Sequence, residues 1–355
     1  MSTFPEITAR AWNECRLLDA VLEITHECNF HCFFCYNDRV LRTWPLTFDE
    51  YSDLMEQLAD MAVLNLTLTG GEPLVHPEFF AIGARARDLG FVIRLKSNGH
   101  LLRGDVLRRL IDEVAPYQID LSLHGATAAT HDRQTQRPGS IDRLLKNIDE
   151  MNRLELRMKL NCTLTAWNEE EVEKAFNLAD RLGLLLNFNA TVSPKDDGDT
   201  APMNLAPSPE GISQLAQVLE QRHEDARSSK GEGVARGEAE AQGPAVIRHC
   251  GAGASSVTID QWGNVMPCVQ WRRVVGNVRE KPIAEIWSTS SDLEEVQALT
   301  IEAKKVAPRF DGPTDVTIFC PGIADLLTGD ALAPYPGLPF HGVSSSSNDD
   351  GTVDR

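Results

Sequence analysis

Three cysteines within eight residues, Cys28, Cys32 and Cys35, carry the strongest chemical signal in this chain of 355 residues. They sit in the run Thr25-His26-Glu27-Cys28-Asn29-Phe30-His31-Cys32-Phe33-Phe34-Cys35, directly after the strand-like stretch Val21-Leu22-Glu23-Ile24. A cubane four-iron, four-sulfur cluster takes one thiolate per iron, so three ligands leave one iron open to a partner that is not protein. An open iron implies chemistry rather than electron storage alone. Zinc more commonly takes Cys-x2-Cys pairs with a fourth protein ligand, and disulfide frameworks suit short secreted chains.

A second group lies far downstream: Cys250, Cys268 and Cys320. Between its first two members, Ser256 to Asp260 and Val265 to Pro267 flank Gln261-Trp262-Gly263-Asn264, a β-hairpin pattern with a glycine turn that brings the two cysteines together. Cys15 and Cys162 stand outside both groups and are assigned no role, since buried free thiols are common.

The elements that must hold these residues alternate along the chain. After the cysteine loop the pattern predicts a helix over 48–61, a strand over 63–68 and a helix over 77–89. A strand over 91–95, a helix over 105–112 and a strand over 118–123 follow. Then come a helix over 141–153, a strand over 156–160, a helix over 169–182 and a strand over 184–188. With the first strand this makes six β/α units and a parallel sheet. Six are too few to close an eight-fold barrel, so the expectation is an open, partial (β/α)6 TIM-like barrel whose working residues gather at the carboxyl ends of strands.

Those strand ends carry polar, glycine-rich segments. The second reads Thr69-Gly70-Gly71-Glu72-Pro73, where paired glycines allow close approach to the backbone and a carboxylate stands ready for a cation. The third ends in Lys96-Ser97-Asn98-Gly99 and the fourth in Ser122-Leu123-His124-Gly125. Taken alone, these are also ordinary turn chemistry.

The spacing Cys-x3-Cys-x2-Cys, with Phe34 before the third cysteine, resembles the signature of the radical S-adenosylmethionine (SAM) enzymes. The resemblance covers about residues 18 to 192, and it implies that the open iron chelates SAM and cleaves it reductively to a 5'-deoxyadenosyl radical. It further implies that Gly70, Gly71, Glu72 and Pro73 receive the SAM amino group, and that Ser97, Asn98 and Ser122 contact its ribose and carboxylate. Phe34 becomes the adenine neighbour, and either Arg133 or Arg137 pairs with the carboxylate. His124 stands where many relatives carry Asp. The second group resembles a SPASM/twitch extension over about 248 to 332, with Ile318-Phe319-Cys320-Pro321-Gly322 as its closing segment. Three cysteines there, instead of about seven, limit the extension to one auxiliary iron-sulfur cluster. That cluster has an open iron or a non-cysteine fourth ligand such as His249 or an Asp. A zinc site of the same cysteines with His249, or no metal, are the alternatives.

Composition narrows the remaining classes. The formal charge of −18 argues against nucleic acid as a partner, because phosphate backbones are met by clustered Lys and Arg. No window reaches the roughly 18 apolar residues of a membrane span, and the N-terminus lacks signal-peptide character; a cytoplasmic location is expected. The anticipated organisation is a core domain (1–222), a flexible linker (223–247), an auxiliary-cluster domain (248–342) and a disordered tail (343–355). The family resemblance points first to maturation of a ribosomally made peptide or a protein, with a flavodoxin or ferredoxin-type electron donor. Dehydrogenation of a small alcohol or sugar is the second reading. An iron-sulfur electron carrier or redox sensor is the third, against which the Gly-Gly-Glu-Pro segment speaks.

Overall fold

The structure is a computed structural model and describes residues 4–40, 42–230, 247–311 and 316–338. Its frame is one nine-stranded sheet. Six parallel strands form the core: β1 (Asp19–Thr25), β2 (Asn65–Gly70), β3 (Val92–Ser97), β4 (Gln118–Ser122), β5 (Met158–Thr163) and β6 (Leu185–Asn189). Three more follow: β7 (Ser256–Ile259), β8 (Asn264–Met266) and β9 (Gly276–Asn277). The spatial order is β6-β5-β4-β3-β2-β1-β7-β8-β9, an α/β partial barrel with an antiparallel C-terminal region.

The helices are α1 (Phe4–Glu14), α2 (Phe48–Asp60), α3 (Phe79–Asp88), α4 (Gly104–Arg109), α5 (Ala128–Thr135), α6 (Ser140–Arg153), α7 (Val172–Leu182), α8 (Pro209–Lys230), α9 (Ile283–Thr289), α10 (Ser291–Val306) and α11 (Pro321–Thr328). The strands alternate, as a pleated chain must. Leu22, Ile24, Leu66, Leu68, Leu95, Leu121 and Leu160 are fully buried and pack in one core with Leu54, Leu58, Ile82, Leu144, Ile148 and Phe176 from the helices. Thr69, Lys96, Asp120, Ser122, Asn161 and Asn189, from the same strands, border a cavity instead.

Several elements depart from the sequence pattern. The predicted strand over 156–160 is displaced to Met158–Thr163, and the helix over 105–112 is α4 running into a π-helical turn at Leu110–Val114. Helix α5 was not anticipated, because its inward residues are His131, Gln134 and Thr135 rather than an apolar stripe; Thr127 caps it by accepting from Thr130 N. Within the anticipated linker, α8 continues to Lys230, while residues 231–246 and the tail 343–355 lie outside the described residues.

The second cysteine region does not stand apart from the sheet. β7 pairs in parallel with β1, Asp19 opposite Ser256 through Leu22 opposite Ile259. The hairpin turn is organised by Asp260, whose carboxylate accepts from Trp262 N and Asn264 N, both at 2.9 Å. Gly263 occupies the turn with φ +85°, a conformation that disfavours any side chain. From this turn Gln261 reaches back: its Oε1 accepts from His26 N at 3.1 Å, and its carbonyl accepts from Leu46 N at 2.7 Å.

A buried ion network locks the same regions. Glu23 of β1 has no solvent exposure. One carboxylate oxygen accepts from Tyr36 Oη at 2.6 Å and the other from Arg272 Nη1 at 2.9 Å. Arg272 also reaches both oxygens of Asp196, at 2.8 and 3.1 Å. Burial alone would raise the Glu23 pKa; Arg272, His26 and Tyr36 overcome it and hold the carboxyl at about 2. Removing one member of a buried pair strands the other charge, which costs about 3 to 5 kcal/mol. Arg272→Met is therefore expected to lower the unfolding free energy by that amount in urea denaturation. Adding Glu23→Gln should recover part of the loss, and a penalty below about 1 kcal/mol for Arg272→Met would show that the network does not hold the fold.

Candidate active site

The loop between β1 and α2 carries the first three cysteines and is fixed by backbone contacts on two sides. Gly71 N donates to Thr25 O at 2.7 Å and Glu72 N to Glu27 O at 2.8 Å. On the other side, His31 N and Phe33 N donate to the carbonyls of Thr135 and Gln134 at the end of α5. Arg39 closes the loop from above. Its guanidinium donates to Cys28 O at 3.4 Å and to Phe30 O, and lies 3.2 Å from His31 Nε2.

The glycine pair has a direct steric cause. A Cβ on Gly70 would lie 2.1 Å from Thr25 O, and one on Gly71 would lie 2.2 Å from Glu27 O. The group that approaches this backbone so closely is the cysteine loop itself. Glu72 follows at the first bend, fully buried. Its carboxylate accepts from Ser97 Oγ at 2.9 Å, Asn98 N at 2.8 Å and Leu74 N at 3.3 Å. These donors are neutral, so desolvation by burial wins over them and the Glu72 carboxyl rises to about 7. Unlike Gly70 and Gly71, Glu72 does not border the cavity at the strand ends; it lies behind Ser97 and Asn98. Pro73 opens the short 3-10 turn Pro73–Val75, where its missing N–H is harmless, and is buried without bordering the cavity.

A cavity of about 390 Å³ runs over the strand ends, in the size range of small-molecule sites. Cys28, Cys32, Cys35, Phe34, Gly70, Gly71, Ser97, Asn98 and Ser122 all border it. Asn98 also ties the loop down, donating from Nδ2 to Asn29 Oδ1 at 2.7 Å. Phe34 meets His124 edge to face at 4.6 Å. His124 Nδ1 accepts from Thr163 N at 3.3 Å, and burial with the neighbouring His131 pushes its pKa down to about 3. The neutral ring therefore carries its proton on Nε2. Neither Arg133 nor Arg137 borders the cavity. Arg133 stacks on Trp167 at 3.9 Å, and the arginine at the cavity wall is Arg39. Arg39, Asn29, Gln134 and Thr135 escaped the sequence reading because each acts through a contact that no local spacing reports.

The donor set can be tested against a metal centre. Burial pushes the Cys35 thiol up to about 11 and raises Cys28 and Cys32 as well, while Arg39 pulls all three down. Such buried thiols give up their protons to a strongly positive centre. A single zinc with 2.3 Å bonds would hold its sulfurs roughly 3.8 Å apart. Among the described residues, His26, Asp38 and Asp196 are the set of three ligand groups whose atoms all lie within 4.8 Å; neither cysteine trio closes to that spacing. In the His26 set, both aspartates already pair with arginines, Asp38 with Arg42 and Asp196 with Arg272.

The second trio converges as the hairpin requires. Cys250 precedes β7 and Cys268 follows β8, drawn together where Gly253 N donates to Pro267 O at 3.2 Å. Cys320 caps α11. Burial and the nearby Cys268 push its thiol up to about 12, opposed by hydrogen bonds from the backbone of Ile323 and Gly322. Burial likewise raises Cys250 to about 11. His249 is engaged elsewhere, with Nε2 at 3.0 Å from Phe319 O.

Comparison with known proteins accords with this architecture. Residues 22–179 match the radical SAM superfamily and residues 250–309 match SPASM, an iron-sulfur cluster-binding domain. An AdoMet-dependent heme synthase of Methanosarcina barkeri (strain Fusaro / DSM 804) is 27% identical over 290 residues, covering 76% of this chain and 81% of the relative. The mycofactocin maturase MftC of Mycobacterium tuberculosis (strain ATCC 25618 / H37Rv) is 26% identical over 291 residues, covering 78% and 71%. Among solved structures, native anSMEcpe with bound AdoMet superposes with a TM-score of 0.65 at 16% identity, over 89% of this chain and 92% of that one. Streptococcus suis SuiB bound to S-adenosylmethionine gives 0.64 at 16% identity, over 80% and 68%. The chain belongs to the radical SAM superfamily, as an enzyme that uses a four-iron, four-sulfur cluster and SAM and carries a C-terminal SPASM iron-sulfur domain.

Proposed function

We propose that this enzyme modifies a peptide, or a peptide segment of a protein, at an unactivated carbon. The observation that carries this reading is the part of the cavity wall supplied by β5, β6 and the segments that follow β6 and β8. There Asn161, Thr163, Asn189, Thr191, Ser193 and Gln270 present neutral amides and hydroxyls, the groups that pair with backbone N–H and C=O. Charged partners are few. Among the described residues bordering the cavity, Arg39 and Lys96 are the arginine and lysine side chains, and Lys96 lies beside Asp120 in the sheet register. An anionic macrocycle would call for more cations than these, which weighs against the activity named for the heme synthases. Two relatives of the same fold bind peptides: SuiB is known with the precursor peptide SuiA, and anSMEcpe with the Cp18Cys peptide.

In this reading Cys28, Cys32 and Cys35 hold the cluster and Glu72 takes the SAM amino group. Ser97 and Asn98 keep that carboxylate aimed, and Phe34 with His124 flanks the adenine. Arg39 offsets the negative charge of the three thiolates. Cys250, Cys268 and Cys320 hold the auxiliary centre. When bound, the cluster and SAM supply the radical chemistry that removes a hydrogen atom from substrate. The electron comes from an external donor of flavodoxin or ferredoxin type.

After anaerobic reconstitution with iron, sulfide and dithionite, the chain is expected to convert SAM to 5'-deoxyadenosine, and a peptide substrate should raise the yield and gain a mass change. The combined Cys28→Ala, Cys32→Ala, Cys35→Ala variant should form none; retained cleavage would move the cluster elsewhere. Turnover of small alcohols or sugars with no response to peptides would replace the peptide reading.

The pH dependence of SAM binding tests Glu72 separately. Its carboxyl is raised to about 7 by burial, so it is neutral below that pH and gives the ammonium group no partner. Affinity should fall by roughly tenfold per pH unit below about 7 and level off above it. Glu72→Gln should bind weakly at every pH; a wild-type profile with no pH dependence would remove Glu72 from the amino-group role.

A further inference from the structure

Gln270 touches both the cavity and the second cysteine site. It follows Cys268 by two residues, and its side chain borders the cavity beside Ser193 and Val192. Its Nε2 donates to Ser193 Oγ at 3.3 Å. Its Oε1 stands 4.0 Å from Cys320 Sγ and faces the thiol as an acceptor. Among the described residues, no other side chain bordering the cavity makes a hydrogen bond to Cys250, Cys268 or Cys320.

The polarity of that contact depends on the state of Cys320. As a metal ligand the sulfur has no proton, and a carbonyl oxygen facing a thiolate sets two acceptors against each other. A half-turn of the amide exchanges its oxygen and nitrogen, so that Nε2 donates to the sulfur and Oε1 turns to Ser193. The Ser193 hydroxyl serves either arrangement, since it can donate or accept. Hydrogen bonds to cluster sulfurs are among the factors that set reduction potential. An N–H donor favours the reduced, more negative state.

We propose that Gln270 is a positioning residue that couples the substrate cavity to the auxiliary centre. Its amide donates to Cys320 when that cysteine holds iron, and Ser193 orients the amide from the cavity side. A substrate group that engages Ser193 thereby changes the hydrogen bond on the auxiliary centre without touching the iron. This rests on the reading that the second trio holds that centre.

The test uses the full-length chain carrying Cys28→Ala, Cys32→Ala and Cys35→Ala, reconstituted with iron and sulfide, so that the auxiliary centre alone gives a signal. In a potentiometric titration followed by electron paramagnetic resonance, Gln270→Leu should shift the midpoint to a more negative value. Gln270→Glu, which keeps the shape but removes the donor and adds charge, should shift it further. Ser193→Ala should shift it in the same direction by less. Identical potentials and spectra in all three variants would overturn the proposal. Absence of any iron-sulfur signal before Gln270 is changed would overturn it together with the ligand assignment, while formation of 5'-deoxyadenosine by the unaltered chain would still support the radical reading.

Discussion

A single buried carboxylate, Glu23, sets the terms on which this molecule folds. It lies on the strand that leads into the cysteine loop, with no water to solvate it. An uncompensated charge there would be prohibitive. Its partners come from three directions: Tyr36 from the far end of the cysteine loop, Arg272 from the SPASM region, and Asp196 from beyond β6, joined through Arg272. Meeting the needs of one carboxylate therefore brings together three parts of the chain that share no sequence proximity. The continuous sheet is the backbone expression of the same constraint, since β7 lies against β1 as far as Leu22, the residue before Glu23.

Glu72 is the contrasting case. Both glutamates are fully buried, yet their pKa values move apart, Glu23 to about 2 and Glu72 to about 7. The difference is the cation: Glu23 has Arg272, and Glu72 has only neutral donors. Glu23 contributes stability above its unfolded value near 4.5 that is lost as pH falls through about 2. Glu72 acts in the other sense, because its raised pKa favours the fold at low pH and that advantage disappears as pH rises from about 4.5 through about 7. Ionising it costs about 3 kcal/mol more than ionising a solvated glutamate. One glutamate has its cation within the fold, and the other is held by neutral donors alone.

What the sequence revealed follows the same division. The cysteines at 28, 32 and 35, the glycine pair and the six strands were legible because their signals are short spacings and periodicities. The reason for the glycines was only half legible: the backbone that crowds Gly70 and Gly71 belongs to Thr25 and Glu27, more than forty residues earlier. Helix α5 was hidden by its polar inward face, although Gln134 and Thr135 hold the cysteine loop. Arg39 and Arg272 carry no local signature at all. The pairing of β7 with β1 was equally invisible, since Ser256-Val257-Thr258-Ile259 reads as a hairpin strand whichever sheet it joins.

The Glu23–Arg272 contact spans 249 positions of sequence. Chains emerge from the ribosome N-terminus first, at about 5 to 20 residues per second. The cysteine loop and the core strands are thus synthesised well before the guanidinium that neutralises the carboxylate beneath them. Until residue 272 is available, Glu23 lacks the cation that its burial calls for. The buried network beside the cysteine loop is for this reason completed only once most of the chain has been made.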